Sequence, residues 1–259
     1  CVIVNVMRGG PGIGGISASQ GDYFQSVKGG GHGDYKLIVF GPDSVQEAID
    51  IVYDSFTIAD KYRTPVMILA DGLIGQMMEP VTMPEFKTEE ELKCDKPWAA
   101  TGWHEGCGRP RAIINSLYIE EDALTALHER LQARYRIIEQ NEVRYECYNT
   151  EDAEIILIAY GTISRVCRSA IDELSESGIK VGMVRPITLW PFPSQAILDA
   201  VSQPSVKKVL AVEISAGQMV EDARLAVNGL KEVGFLGYPG SKIATVDEIV
   251  AKLKALREE

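Results

Sequence analysis

Residues 2–17 read VIVNVMRGGPGIGGIS. The run Val2-Ile3-Val4-Asn5-Val6 is short, apolar and β-branched, the composition of a buried parallel strand. Behind it, Gly10, Gly12 and Gly15 fit the dinucleotide fingerprint G-x-G-x-x-G letter for letter. That fingerprint also needs a helix opening at the loop, a second strand, and an acid about 20 residues on for the ribose. Here Pro11 lies inside the loop, and Gly21 and Gly29 interrupt the stretch where the helix should run. The next strand, Leu37-Ile38-Val39-Phe40, runs into Gly41-Pro42 where the acid should stand. The glycines therefore call for another explanation, with a nicotinamide-binding oxidoreductase subunit kept as a rival.

Arg8 is the more informative residue. It lies at the carboxyl end of the first strand, where open α/β sheets place their ligands. An unpaired charge at the end of a core strand is costly, so the guanidinium needs a partner. Its planar fork matches a carboxylate through two parallel hydrogen bonds. Gly9, Gly10, Gly12, Gly14 and Gly15 clear side chains from around it and let a ligand approach the backbone. Two readings stay open at this level: a clamp for an acidic ligand, or a partner for an Asp or Glu of the same protein.

The rest of the chain continues an α/β alternation. Residues 44–62 form a helix with Val45, Ile49, Val52, Phe56 and Ala59 at helical spacing, opened by the capping box Ser44-x-x-Glu47. Val66–Ala70 is a third strand, closed by Asp71-Gly72. Residues 76–118 are irregular and carry several prolines. Residues 121–142 form a long charged helix with Leu124, Leu127, Leu131, Tyr135 and Ile138 on one side. After the link YECYNTEDA, strands at 155–159, 180–184, 209–212 and 233–236 alternate with helices at 163–177, 194–203, 217–228 and the C-terminus, the last capped by Thr245-x-x-Glu248. The expected fold is α/β, with two doubly wound, mostly parallel-sheet domains. The expected units are 1–75 as the back half of the first domain, 76–150 as an irregular connector with a long helix, and 151–259 as the second domain. RPITLWPFP (185–193) reads as a packed loop anchored by Trp190 and Phe192.

Bulk properties narrow the function. The chain has 259 residues, 46% of them apolar, and a net charge of −11, which argues against a nucleic-acid backbone as partner. No apolar run approaches the roughly 18–20 residues that cross a bilayer, and no signal peptide is recognisable. Five scattered cysteines point to a reducing cytoplasm rather than a disulfide framework. The chain opens on Cys1, already inside a strand-like run, and the expectation is that an N-terminal part lies elsewhere. His32, in GGGHGD, is a candidate proton carrier or a turn residue. Cys94, His104 and Cys107 fit no standard zinc spacing beyond a lone His-x-x-Cys, and no CxxC run could hold an iron–sulfur cluster. Glu213, at a strand end before Ser215-Ala216-Gly217, holds the position of a second ligand site or of a plain strand–helix turn.

Seven stretches carry a resemblance. NVMRGGPGIGGIS (5–17), GDYFQSVKGGGHGDY (21–35), KYRTPVMILADGLIGQMMEPV (61–81), PWAATG (97–102), INSLY (114–118), VRPITLWPFP (184–193) and EISAGQMVEDARLAVNG (213–229) resemble the α-type subunit of 2-oxoacid:ferredoxin oxidoreductases, nearest to the 2-ketoisovalerate (3-methyl-2-oxobutanoate) branch. The resemblance implies a partial thiamine-diphosphate pyrimidine-binding domain followed by a transketolase C-terminal-like domain. It implies oxidative decarboxylation of a 2-oxoacid to an acyl-CoA, with electrons passed to ferredoxin. Thiamine diphosphate and magnesium would sit at the interface with a β-type partner, and iron–sulfur clusters in other subunits of the complex, which include γ-type and ferredoxin-like δ-type chains. It assigns the substrate carboxylate to Arg8 in Arg8-Gly9-Gly10-Pro11, with Ser17 standing where relatives carry a threonine. Gly9, Gly10 and His32 become possible active-site loop residues. Many relatives continue Pro-Ser-Thr-Gly, whereas this chain has Pro11-Gly12-Ile13-Gly14, a less polar wall. The glutamate that activates the cofactor ring belongs to an N-terminal part outside these residues. The resemblance therefore implies no catalytic residue in this chain, and an inactive chain in isolation. A non-catalytic assembly module is the rival from another class.

Overall fold

Apolar, β-branched runs at Val2–Met7 (β1), Ile38–Phe40 (β2) and Val66–Asp71 (β3) pair in parallel, with β3 in the centre. Between them lie the short helix α1 (Tyr23–Val27) and the long helix α2 (Val45–Tyr62). The computed structural model describes residues 1–92, 96, 98–240 and 242–258. Helices α3 (Glu89–Leu92) and α4 (Glu121–Asn141) come next, then β4 (Tyr145–Tyr148), β5 (Ile155–Ile158), α5 (Thr162–Glu176), β6 (Val181–Pro186), β7 (Thr188–Trp190), α6 (Ser194–Val201), β8 (Lys208–Glu213), α7 (Met219–Val227), β9 (Val233–Gly237) and α8 (Val246–Glu258). The second sheet has the order β4-β6-β5-β8-β9 and is parallel except for β4. Two mostly parallel sheets with helices between their strands are the expected architecture.

Four local expectations need correction. First, β1 is parallel to β3 but not buried. It stands at the end of its sheet, in the order β1-β3-β2-β7, and Val4 is 59% exposed. Pairing fixed its direction, but only its last residue, Met7, is driven into the core. Second, the buried stripe of α2 is rotated from the expected one and shares only Ala59 with it. Ile51, Ser55, Ile58, Ala59 and Tyr62 face inward, while Val52 and Phe56 face out. Ser55 is tolerated because its hydroxyl donates to the Ile51 carbonyl at 2.6 Å. The inner stripe packs with Ile38, Phe40 and Ile68, and with Tyr135 and Ile138 from α4.

Third, the expected link at 145–148 is a strand, β4, antiparallel to β6. Fourth, the expected loop at 185–193 contains β7, which leaves the second half of the chain and completes the first sheet, antiparallel to β2. Leu189 is buried there, and Trp190 meets Tyr135 edge-on with ring centroids 5.7 Å apart. Trp190 and Phe192 do pack on the core as anchors.

The two halves share one interior. Met7, Tyr23, Val39 and Leu69 belong to the same buried cluster as Ile156, Ile158, Tyr160 and Val184. A buried ionic latch spans the same seam. Arg185, on β6, donates to both carboxylate oxygens of Glu47 on α2, each at 2.8 Å, and its Nε donates to Glu146 on β4 at 2.9 Å. Asp43 lies 3.5 Å from that Nε, and Arg168 joins through Glu146 at 2.9 Å. Glu47 does two tasks. Its amide donates to the Ser44 hydroxyl, as the capping box requires, but its carboxylate accepts from the amide of Asp43 rather than that of Ser44.

Burial alone would raise Glu47, but hydrogen bonds and charge from Arg185 outweigh it and hold the carboxyl below its usual value. Burial pushes Asp43 up, against the pull of Arg185. A depressed carboxyl contributes stability that is full above its unfolded pKa and is lost as pH falls through its folded pKa. A raised one works in the opposite sense and offsets part of that loss. Removing one partner of a buried pair costs about 3–5 kcal/mol because it strands the others. Arg185→Met is therefore expected to lose about that much in urea unfolding at pH 7. The deficit should narrow toward pH 4, where the stranded carboxylates can take up protons. An equal deficit at both pH values would show that the latch does not work electrostatically.

Candidate active site

At the end of β1 the chain turns back on itself. Arg8 forms an antiparallel bridge with Ala18, the Gly9 amide donates to the Ser17 carbonyl at 3.0 Å, and the Gly15 amide donates to the Gly9 carbonyl at 2.8 Å. Glycine is required at position 14. Its φ is +61°, and a Cβ there would lie 1.9 Å from the Gly9 carbonyl oxygen and 2.7 Å from a terminal nitrogen of Arg8. The bare backbone of Gly14 thus lies against the guanidinium. This is a loop closed on an arginine, not the opening of a nucleotide-binding helix, since α1 begins only at Tyr23 and has five residues.

The loop is fastened from below. Gln76 donates through its side chain to the carbonyls of Ile16 and Gly72, at 3.1 and 2.7 Å. Asp71, at the end of β3, is buried. One of its oxygens accepts from the amides of Leu73 and Ile74, and the other from the amide of Thr162. The nearest strand-end carboxylate is thereby consumed by backbone. Among the described residues no Asp or Glu pairs with Arg8, whose side chain is exposed. Ile13 and Ile16 are bare in the same loop, at 92% and 80% exposed. The loop presents one fork-shaped cation without a carboxylate partner among the described residues and, in the same ten residues, two exposed apolar side chains.

The other candidate residues are spread more widely. Ser17 is half-buried directly across the bridge from Gly9, on the strand-like return that pairs with Arg8. His32 is exposed in its glycine turn, and that turn's contacts run to α4: Asp34 meets His128 and Gln132. Glu213 is fully buried, and its carboxylate fills the α7 N-terminus itself. It accepts from the amides of Gln218, Met219 and Val220 at 3.1 Å and from the Ser215 hydroxyl at 2.7 Å. The strand–helix turn is the reading the structure supports there, because an internal anion already takes the donors an external one would use. His104 and Cys107 share a backbone turn, and Cys94 lies outside the described residues. Among the described residues no three His, Cys, Asp or Glu side chains gather as a metal site.

Sequence reading missed Asp71 and Gln76, which fasten the loop, and Gln20, whose side chain donates to the Tyr160 carbonyl and accepts from the Ile214 amide. Asp71-Gly72 was legible only as a turn. The signal for more was the Asx-turn chemistry of an aspartate at a strand end.

Comparison with known proteins decides the family. Residues 1–145 match the family described as pyruvate flavodoxin/ferredoxin oxidoreductase, thiamine diphosphate-binding, and residues 153–249 match pyruvate:ferredoxin oxidoreductase core domain II. The chain belongs to the 2-oxoacid:ferredoxin oxidoreductase family, as one of its subunits. It is 45% identical over 258 residues to the ketoisovalerate oxidoreductase subunit VorB of Methanothermobacter marburgensis, covering 100% of this chain and 71% of that protein. It is 33% identical over 271 residues to the 2-oxoglutarate synthase subunit KorA of Methanocaldococcus jannaschii, covering 96% and 72%. The fold matches 2-oxoglutarate:ferredoxin oxidoreductase from Magnetococcus marinus, solved with 2-oxoglutarate, coenzyme A and succinyl-CoA bound. The TM-score is 0.77 at 22% identity, covering 98% of this chain and about half, 48%, of that one.

The loop from Arg8 to Ser17 carries a single cation, enough for one carboxylate but not for a diphosphate with its metal. Gly14 leaves bare backbone against the guanidinium, and Ile13 and Ile16 add exposed apolar surface to the same loop. Gly14→Ala should open this loop. Hydrogen exchange at the Gly9 and Gly15 amides should rise well above that of the native protein, while the β3 amides stay protected. Unchanged protection would show that the loop closes by some other contact.

Proposed function

We propose that this chain helps form the 2-oxoacid site of a thiamine-diphosphate-dependent oxidoreductase that converts 3-methyl-2-oxobutanoate to its acyl-CoA and passes electrons to ferredoxin. The observation that carries this reading is the exposed, carboxylate-free guanidinium of Arg8, held against Gly14 at the end of a parallel strand. Arg8 binds the substrate carboxylate through two parallel hydrogen bonds and orients the keto carbon. Ser17 would add a hydroxyl on the return strand. Gly9 and Gly10 leave the backbone open to the ligand, and His32 stays a candidate for the outer loop. Thiamine diphosphate, when bound, supplies the nucleophile and the electron sink for loss of carbon dioxide. The arginine positions the acid and is not a base.

Two observations favour a branched alkyl substrate over 2-oxoglutarate. The exposed Ile13 and Ile16 in the Arg8 loop suit an alkyl tail and would leave a second carboxylate unpaired. Identity is also higher to the ketoisovalerate subunit than to the 2-oxoglutarate subunits. In the same reading, the diphosphate and magnesium sit at the interface with a β-type subunit. Iron–sulfur clusters are carried by other subunits, γ- and ferredoxin-like δ-type chains complete the complex, the complex is cytoplasmic, and turnover requires the assembly. Among the described residues no helix is long and apolar enough to cross a membrane. Segments 1–75, 76–150 and 151–259 serve as the site-bearing unit, the connector and the second domain.

Arg8→Ala in the complete complex should lower kcat/KM for the 2-oxoacid about 10- to 100-fold, the range expected for one charge-assisted pair. Thiamine diphosphate affinity should not change. Arg8→Lys should recover little, because the fork is lost. Unaltered kcat/KM in Arg8→Ala would remove Arg8 from the site.

A further inference from the structure

A second arginine cluster lies away from the Arg8 loop, where the C-terminus of α2 meets α4. Arg63, Arg130 and Arg134 line a cavity of about 730 Å³ together with Trp98 and Ile137. Arg63 stacks on the Trp98 ring, its guanidinium carbon 4.8 Å from the centroid. Arg134 donates to the Arg63 carbonyl at 3.1 Å, which uses one of its five N–H groups. Among the described residues none of these three arginines pairs with a carboxylate. The acids near the rim are engaged elsewhere. Asp60 pairs with Lys96, and Glu142 accepts from Lys61 at 2.9 Å and from Tyr62 at 2.6 Å.

Arg63 and Arg130 are exposed and Arg134 is half-buried, so water screens much of their repulsion and a bound anion would offset the rest. Arg130 and Arg134 stand four apart on one helix, a spacing at which like charges repel. Burial, then the charges of Arg63 and Arg130, push the Arg134 guanidinium below its ordinary value. In a chain of net charge −11, the one acid on the cavity wall among the described residues is Asp60, which Lys96 holds. The carbonyl at the end of α2 gives Arg134 one acceptor but leaves Arg130 without a protein hydrogen bond among the described residues. The volume lies in the usual range of small-ligand pockets, and the pairing of cationic forks with an indole and an aliphatic floor is the pattern that holds a phosphate beside a planar ring.

We propose that the cavity between α2 and α4 binds a nucleoside phosphate, its phosphates on Arg63, Arg130 and Arg134 and its base against Trp98. The site is separate from the Arg8 loop and does not depend on the reading given to it. Equilibrium dialysis of labelled ADP against the complete enzyme, wild type and Arg130→Gln, tests the proposal. Arg130→Gln should weaken one class of ADP sites about tenfold or more, the loss expected for one charge-assisted hydrogen bond. It should leave thermal unfolding and kcat/KM for the 2-oxoacid unchanged in the absence of ADP. Inorganic pyrophosphate should compete in the wild type, and Trp98→Ala should weaken ADP more than pyrophosphate. Equal ADP stoichiometry and affinity in wild type and Arg130→Gln would overturn the site. So would an absence of ADP binding combined with loss of a subunit from the Arg130→Gln complex, which would assign the cluster to a protein contact. Equal weakening of ADP and pyrophosphate in Trp98→Ala would overturn the role of the base.

Discussion

The backbone at the carboxyl ends of the strands must be satisfied where two sheets meet in the buried interior, and much of the structure depends on how this is done. Gln20 spans the seam completely. Its side-chain nitrogen donates to the Tyr160 carbonyl at 2.7 Å, its side-chain oxygen accepts from the Ile214 amide at 2.8 Å, and its own amide donates to the Ile214 carbonyl at 2.7 Å. Asp71 does the same for Thr162 from the first sheet, and Glu213 does it for the start of α7. Buried backbone groups left without partners cost far more than these bonds return when made. The seam is therefore fixed in register, and the loop that begins at Arg8 leaves β1 in one defined direction.

That constraint also explains which strand-end groups are free for chemistry. Asp71 and Glu213 occupy positions that could hold ligands in an open α/β sheet. Both are instead taken up by amides of the protein. Arg8 stands one residue beyond the pairing of Met7 with Asp71, and its neighbours are glycines that offer no side-chain acceptor. The seam thus uses up the carboxylates and leaves the one cation of the loop unanswered.

The elements visible in the sequence were those whose signal is local. The β-branched strands, the Ser44 and Thr245 caps and the helix over 45–62 depend on residues within a turn or two of one another. At Thr245 both arms of the capping box form, Glu248 donating its amide to the threonine and returning its carboxylate. What escaped depended on partners far along the chain. The inner stripe of α2 is set by Tyr135 and Ile138, some eighty residues on, so periodicity found the helix but not its buried face. β7 is a strand only because β2 offers an edge to it across 150 residues of sequence. In the candidate site, Arg8, Ser17 and the glycines were legible, because the loop closes on itself. The supports of the loop at Asp71 and Gln76, and of the seam at Gln20, were not, because each joins groups that sequence distance hides.

Three arginine environments in one acidic chain show how surroundings separate structure from function. Arg185 is buried and meets Glu47, Glu146 and Asp43. Its charge is answered inside the protein, so its role ends in holding β6 to α2. Arg168, at the same seam, is answered by Glu146 and stacks over Tyr148. Arg8 has the same fork and the same affinity for a planar anion, yet the fold sets it against glycine backbone in a loop whose two isoleucines are exposed. A cation that a folded chain leaves unpaired next to apolar surface keeps its full desolvation cost for the moment a ligand arrives, and only an acid can then offset that cost. Residue identity alone does not distinguish these arginines. The carboxylates placed around them, or withheld, do.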